Sequence, residues 1–380
     1  MAKPLSLVLV GTDGNHRQKL LRECIDGDKR FRCHHVDYRE FAECAGTSLD
    51  EKFDGSIVRL DSPEHSLDLE KMLLERGFHE NHSTACERIG PGEIRTLGIN
   101  RGELRYPTQY FLGFRSLLKS LAVAKELGSA KAWLTCPREI AEIFDKAELY
   151  LTYEKLGVPQ PDTRVEIKTF DEVFEYAGLH QSTGVYLKHR FGSTGSGMLY
   201  IRRINQNLYS WSTFAFQRGK KINLLKPFAS RDLAEIKSMI NYLLDEGAVL
   251  QVGIKKARVN GFPFDCRFVV IDQRVSFIIV RKSSSPFTNL NLGGERDVFE
   301  ALRRTIPDRI IKEAIRCCIK IARHHMQFMI GVDVVFDANK ENFYILESNA
   351  FGGFFPNLYR KGLSVLMWEL DAIYERYAAG

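Results

Sequence analysis

Val185-Tyr186-Leu187-Lys188-His189-Arg190-Phe191-Gly192-Ser193-Thr194-Gly195-Ser196-Gly197-Met198 is the stretch on which the fold turns. Lys188 ends one strand-like run, and a second, Met198–Ile204, begins straight after Gly197. Glycines and small hydroxyl residues let backbone N–H groups approach phosphate oxygens closely, and the lysine adds a point charge. The loop is not a Walker A: the Gly-Lys-Ser/Thr ending is absent, and a strand follows where that motif needs a helix N-terminus. A glycine-rich loop between antiparallel strands can instead fold over a nucleotide as a flap. The same residues also describe an ordinary flexible hairpin loop, so the stretch needs support from elsewhere.

Support comes from the C-terminal part. Val332–Phe336 and Phe343–Leu346 read as a hairpin turning on Asp337-Ala338-Asn339-Lys340, which sets Asp333 roughly opposite Glu347. Glu347 and Asn349 share a face by the two-residue strand period. Two carboxylates and an amide oxygen suit Mg²⁺, a cation that takes oxygen ligands and keeps phosphates and waters for its other positions. Their apolar flanks (Val332, Val334, Ile345, Leu346) make half-buried acids costly without a cation or partner. A hydrogen-bonded structural pair is the alternative. Arg267 begins a strand whose hairpin partner ends at Arg281, across a turn at Asp272-Gln273, so both can reach one sheet edge. With Asn289 and Asn291 they form a set able to hold a transferring phosphoryl group or a carboxylate.

Strand-like and helix-like segments alternate along the chain, which predicts an α/β architecture. Leu5–Val10, the helical Arg17–Cys24 and Gly55–Leu60 look like the start of a parallel sheet. Pro137 to Leu156 reads as one helix, with Pro137 at N1 and Gly157 just past its end. A further helix is expected over Arg309–Met326, and paired strands over Phe268–Ile271 and Val275–Val280. Residues 79–105 form the least regular region, expected as a surface excursion. The expected division is 1–130, 131–250 and 251–380.

Composition narrows the class. In 380 residues, 44% hydrophobic and 27% charged residues describe an ordinary globular protein, and no apolar run reaches bilayer length. Leu5–Val10 lacks a basic flank and runs into Gly11-Thr12-Asp13-Gly14, so it reads as a core strand, not a signal peptide. Eight cysteines, at 24, 33, 44, 86, 136, 266, 317 and 318, contain no CxxC pair and read as reduced thiols of a cytoplasmic protein, with Cys317-Cys318 as core packing. A net charge of +6 is too diffuse for nucleic acid, and basic pairs such as Lys255-Lys256 read as solvated faces. His34-His35 and His324-His325 point apart within their elements and have no third ligand nearby in sequence, so structural roles are expected. The Gly11–Gly14 turn fails the GxGxxG spacing of dinucleotide binding.

Taken in order, the pieces resemble an ATP-grasp domain: Phe144-Asp145-Lys146, Leu156-Gly157-Val158-Pro159-Gln160-Pro161, Lys188 with its glycine loop, Asp265-Cys266-Arg267, Arg281, Asn289–Gly294, Gly331-Val332-Asp333 and Leu346-Glu347-Ser348-Asn349. Val58–Glu64, Tyr110–Phe114, Ser285–Leu290 and Asn349–Gly352 further resemble a little-characterised bacterial ATP-grasp family encoded near radical-SAM proteins. The resemblance implies a parallel-sheet pre-ATP-grasp domain followed by two α+β lobes that clasp ATP. It also implies an ATP-dependent ligase joining a carboxylate to an amine, thiol or hydroxyl through an acyl phosphate. Lys146, Lys188 and the loop Gly192, Ser193, Thr194, Gly195, Ser196, Gly197 would contact phosphates, and Gln251 the adenine. Asp333, Glu347 and Asn349 would hold one or two Mg²⁺ ions, for which Mn²⁺ can substitute. Arg267, Arg281, Asn289 and Asn291 would stabilise the transferring group. Gln251 stands where many relatives carry glutamate, which leaves the ribose contact unassigned, and Asn349-Ala350-Phe351-Gly352 departs from the usual ending. A small-molecule or peptide carboxylate with its nucleophile is the expected partner, with no nucleic acid and no membrane; a homo-oligomer is compatible with the sequence. A kinase on the same fold and a nucleotide-binding regulatory protein are the alternatives. Arg59, Asp61, Ser62, Tyr110 and Phe114 are the substrate-contacting candidates of the N-terminal part.

Overall fold

The computed structural model describes residues 3–43, 50–63, 66–82, 85–100, 102–353 and 355–378. Cys44 and Glu64 lie outside the described residues. Three sheets organise the chain. The first is parallel, ordered Phe31–Asp37, Leu5–Gly11, Ile57–Leu60, Ala132–Trp133, so the direction of winding reverses beside its first strand. Helices Leu67–Phe78 and Pro107–Leu127 cross so tightly that a Cβ on Gly77 would lie 1.9 Å from the Gln109 carbonyl oxygen, and one on Gly113 1.8 Å from that of Leu73. Only glycine permits that approach.

The second sheet is antiparallel: Thr163–Arg164, Ala248–Val252, Val185–His189, Met198–Ile204, Asn207–Gln217, Lys220–Ser230. Helices Phe170–Leu179 and Leu233–Asp245 bury Val173, Ile236, Met239 and Ile240 against one of its faces. The other face is left to the cleft. The third sheet, also antiparallel, runs Glu295–Asp297, Arg274–Lys282, Phe262–Ile271, Met329–Phe336, Phe343–Asn349. All eight residues of Met329–Phe336 are buried, and Asp333 is the one charged side chain among them. Helix Asp308–His324 backs this sheet through Ile310, Ile311, Ala314, Cys318 and Ile321, so the Cys317-Cys318 pair does serve packing. The seven described cysteines are free. Among the described residues no helix is long and apolar enough to cross a membrane.

Two expectations need correction. Pro137 to Leu156 is not one helix: Pro137–Phe144 and Lys146–Lys155 meet at Asp145, whose Oδ1 accepts from the backbone N–H groups of Ala147 and Glu148. The helical periodicity continues across the break and hides it, although an aspartate N-cap is its usual signal. Residues 79–105 are also more than a surface excursion. Helix Pro91–Thr96 lies within them, Ile89 and Ile94 are buried, and the buried Gln109 amide bonds both the N–H and the carbonyl of Ile89. Leu104 then donates its N–H to the Lys221 carbonyl, on the outer strand of the second sheet.

Candidate active site

The break at Asp145 places Lys146 at the start of its helix. Asp145 takes a two-pronged contact from Arg190, and the Lys146 amide donates to the Arg190 carbonyl at 3.1 Å. The Lys146 ammonium is thereby turned onto the glycine loop, where it donates to the Gly192 carbonyl. Lys188 projects from the cleft face of the second sheet; its Nζ lies 2.7 Å from Gln251 Oε1 and 3.3 Å from the Tyr150 hydroxyl. Burial pushes both ammonium groups below the ordinary lysine value, the Glu347 carboxylate opposing that shift. Gln251 is almost fully buried, and its amide nitrogen donates to Thr163 Oγ1 at 3.1 Å. Both ends of this amide are therefore engaged within the protein. It orients Lys188 here, where adenine contact was expected.

The third sheet brings its charged residues onto one face. Asp265 is opposite Arg281, Arg267 opposite Asp333, and Asp333 opposite Glu347. Arg267 is interior to its strand, not at its start. Its Nε and Nη2 clasp Asp333, the second at 2.9 Å, and Arg281 Nη2 reaches the same carboxylate at 3.1 Å. Burial alone would push the Asp333 carboxyl up; Arg267 and Arg281 hold it well below the usual carboxylate range. Asp333, expected only as a metal ligand, is thus also the anchor of both arginines. Glu347 is half-buried and engages no ion pair among the described residues. Asn349 keeps a buried Nδ2 without a hydrogen-bond partner. These oxygen donors fit a hard divalent cation, with Glu347 the free ligand and Asp333 one that shares its lone pairs with the arginines.

The loop Gly192–Gly197 is closed by a turn in which Ser196 returns both its N–H and its hydroxyl to the Ser193 carbonyl. Thr194 and Gly195 both adopt positive φ. A Cβ on Gly195 would lie 3.0 Å from Leu292 and 3.2 Å from Asn289, so the flap tip rests on the turn Leu290–Leu292. Asn289 faces the cleft; Asn291 is exposed on that turn and does not line it. The cleft between the second and third sheets is lined among others by Tyr186, Lys188, Gln251, Asp333 and Glu347.

Residues 142–357 match the model of the YheC/D-like ATP-grasp family. The chain belongs to this family. An ATP-grasp fold, which clasps ATP between two lobes, goes with that membership. The fold recurs in the ATP-grasp ligase PsnB solved with minimal precursor, Mg and ADP (TM-score 0.55, 16% identity, 99% of each chain covered). It recurs in the macrocyclase MdnC of Microcystis aeruginosa bound with precursor peptide MdnA (TM-score 0.54, 13% identity, 99% and 100% covered). A RiPP-associated ATP-grasp ligase of Chryseobacterium gregarium, in complex with ADP and a leader and core peptide, has the same fold (TM-score 0.53, 13% identity, 98% and 97% covered). The comparison with curated proteins found no match.

The N-terminal substrate candidates take other roles in this ATP-grasp chain. Arg59 and Asp61 are buried in an ion-pair cluster, Phe114 packs edge-on against Tyr38, and Tyr110 donates to the Pro63 carbonyl. The Ser62 N–H caps the Asp61 carboxylate. His324-His325 does meet two carboxylates, Glu139 and Glu142, brought from a distant helix, with all four ligand atoms within 4.8 Å of one another. His325 Nδ1 pairs with Glu139 at 2.8 Å and Thr152 donates to Glu142, so the cluster ties helix Pro137–Phe144 to helix Lys146–Lys155 and to the end of Asp308–His324. Sequence reading also missed Asp265, which accepts from Arg281 at 2.7 Å and from Thr288, and Lys256, which lines the cleft. Asp265 was legible: it lies two residues from Arg267 and so on the same strand face.

Proposed function

We propose that the chain activates a peptide-borne carboxylate with Mg-ATP and joins it to an amine. One observation carries the assignment of the site. Lys188, in the cleft wall, and Lys146, turned onto the glycine loop, are buried and touch only neutral oxygens, with no ion pair to a carboxylate among the described residues. Buried charge without a counter-charge is unfavourable, so this arrangement calls for an anionic ligand, which a nucleoside triphosphate supplies. The peptide nature of the carboxylate is supported by the three peptide-bound ligases whose length the chain spans almost entirely.

In this reading residues 1–130 form the pre-ATP-grasp domain, 131–250 the flap lobe and 251–380 the metal lobe. Lys146, Lys188 and the loop Gly192–Gly197 hold the phosphates, with Gln251 fixing Lys188. Glu347, Asp333 and Asn349 would hold Mg²⁺, whose charge would offset the repulsion between nucleotide and carboxylate. A carboxylate oxygen attacks the γ-phosphorus; the bond to the bridging oxygen breaks, and ADP leaves. Arg267 and Arg281, buried and pre-set on Asp333, face the charge of the resulting acyl phosphate without needing to reorganise. The amine nitrogen then attacks the acyl carbon, phosphate departs, and the amine proton passes to it. Asn289 lies where the flap tip comes down and orients the transferring group.

The test is incubation of the protein with ATP, Mg²⁺ and peptides carrying both acidic side chains and a lysine. ADP, free phosphate and a peptide lighter by one water are expected. A stable phosphopeptide would identify a kinase, and nucleotide binding without turnover of any peptide would favour a regulatory role.

A further inference from the structure

Lys256 lies on the segment that links the second sheet to the third, stapled to the hairpin turn by Ala257 N–H to the Phe336 carbonyl and Ala338 N–H to the Lys255 carbonyl. The staple leaves Lys255 exposed and turns Lys256 into the cleft, where it lines the same wall as Gln251 and Asp265. Its Nζ meets two neutral oxygens, the Thr288 hydroxyl at 3.2 Å and the Pro286 carbonyl at 3.4 Å. Asp265, the nearest acid in the network, is already committed to Arg281 and Thr288. Lys256 therefore repeats the signature of Lys146 and Lys188: an ammonium held at the cleft, without a carboxylate partner among the described residues. Burial pushes its pKa below the ordinary lysine value, with Asp265 opposing and Arg281 reinforcing the shift.

Resting on the nucleotide reading above, we infer that Lys256 is a third nucleotide-binding lysine, which meets an anionic phosphate of the nucleotide from the hinge side of the cleft. The inference assigns an ionic contact to the segment that follows Gln251, the position at which many relatives rely on an acidic residue. It requires that Lys256 discriminate charged nucleotides from the neutral nucleoside. It also requires that the free protein be strained by the unpaired charge.

Calorimetric titration of the full chain with Mg-ADP and with adenosine, for wild type, Lys256→Met and Lys256→Arg, tests this. Lys256→Met should weaken Mg-ADP binding by about tenfold, the loss of one charge-assisted contact, and leave adenosine unchanged. The same variant, free of ligand, should melt about 2 °C higher because the uncompensated charge is gone. Lys256→Arg should retain most of the Mg-ADP affinity. Unchanged Mg-ADP affinity in Lys256→Met, with wild type binding normally, overturns the inference and leaves the nucleotide site standing. Equal losses for ADP and adenosine would show a packing role and overturn it too. Failure of the wild type to bind Mg-ADP would strike the nucleotide reading itself.

Discussion

Two buried charge clusters sit in this molecule, and they are balanced differently. At the N-terminal sheet, Arg59 forms a two-pronged pair with Glu369 at 2.9 and 3.1 Å, and Asp61 is flanked by Arg17 at 3.0 Å and Arg59 at 3.3 Å. Two cations meet two carboxylates there, all nearly sequestered from solvent. Arg17 also donates to the Phe351 carbonyl at 2.5 Å, so the cluster bolts the N-terminal sheet to the final helix and to the loop behind Asn349. Lys188 and Lys256 line the cleft with Asp265, Asp333 and Glu347; Arg267 and Arg281 are bound to two of those carboxylates, and Lys146 feels the charge of Glu347. Five cations face three carboxylates. The first cluster is complete without a ligand and acts as structure. In the proposed reading the second is completed by an anion and acts as a site. Charge balance, more than burial or polarity, separates the two.

The comparison can be broken most forcefully at the balanced cluster. Arg59→Ala leaves Glu369 and half of Asp61 buried without partners, so a loss of about 3–5 kcal/mol in stability is expected by chemical denaturation. Mg-ADP affinity of the folded fraction should not change; a selective loss of affinity would return Arg59 to the substrate site. Next comes Glu347→Gln. It removes the one carboxylate of the cleft that has no ion pair or hydrogen bond among the described residues, so turnover should fall about a hundredfold or more while Tm stays close to wild type. Wild-type turnover in that variant would refute the metal assignment.

The smallest effect concerns pH. Lys188 has a folded pKa held below its unfolded value, so the unfolded chain binds more protons in the alkaline window between the two. The free protein therefore gains stability as pH rises through that window. Lys188→Met should be more stable than wild type at neutral pH, and the gap should narrow as pH approaches the ordinary lysine value of about 10.4. A gap that widens on the alkaline side would contradict the placement of Lys188 as an uncompensated cation.

Much of this was legible in the sequence, and the misplaced polar residues share one cause. The hairpin period put Asp333 opposite Glu347, and the structure pairs them directly. Met198–Ile204 runs over the residues expected, and the glycine loop joins antiparallel strands as read. What spacing could not show was which partner each polar group already has. Gln251 looked available for adenine, yet Thr163 and Lys188 use both ends of its amide. Arg59 and Asp61 looked like substrate contacts, yet Glu369 lies 310 residues further along the chain. Lys256 looked solvated because its neighbour Lys255 is, and a strand-like segment sends adjacent side chains to opposite sides. Long-range pairing decides whether a buried charge belongs to structure or to function, and no local pattern carries that information.

In the proposed reading the cleft's lysines await a nucleotide's phosphates. Its most direct test is calorimetric titration of the full chain with a non-hydrolysable ATP analogue, with and without Mg²⁺, in wild type and Lys188→Met. Metal-dependent binding by wild type, weakened at least about tenfold by the substitution, is the predicted result. A folded wild type that binds no analogue under either condition would contradict the account.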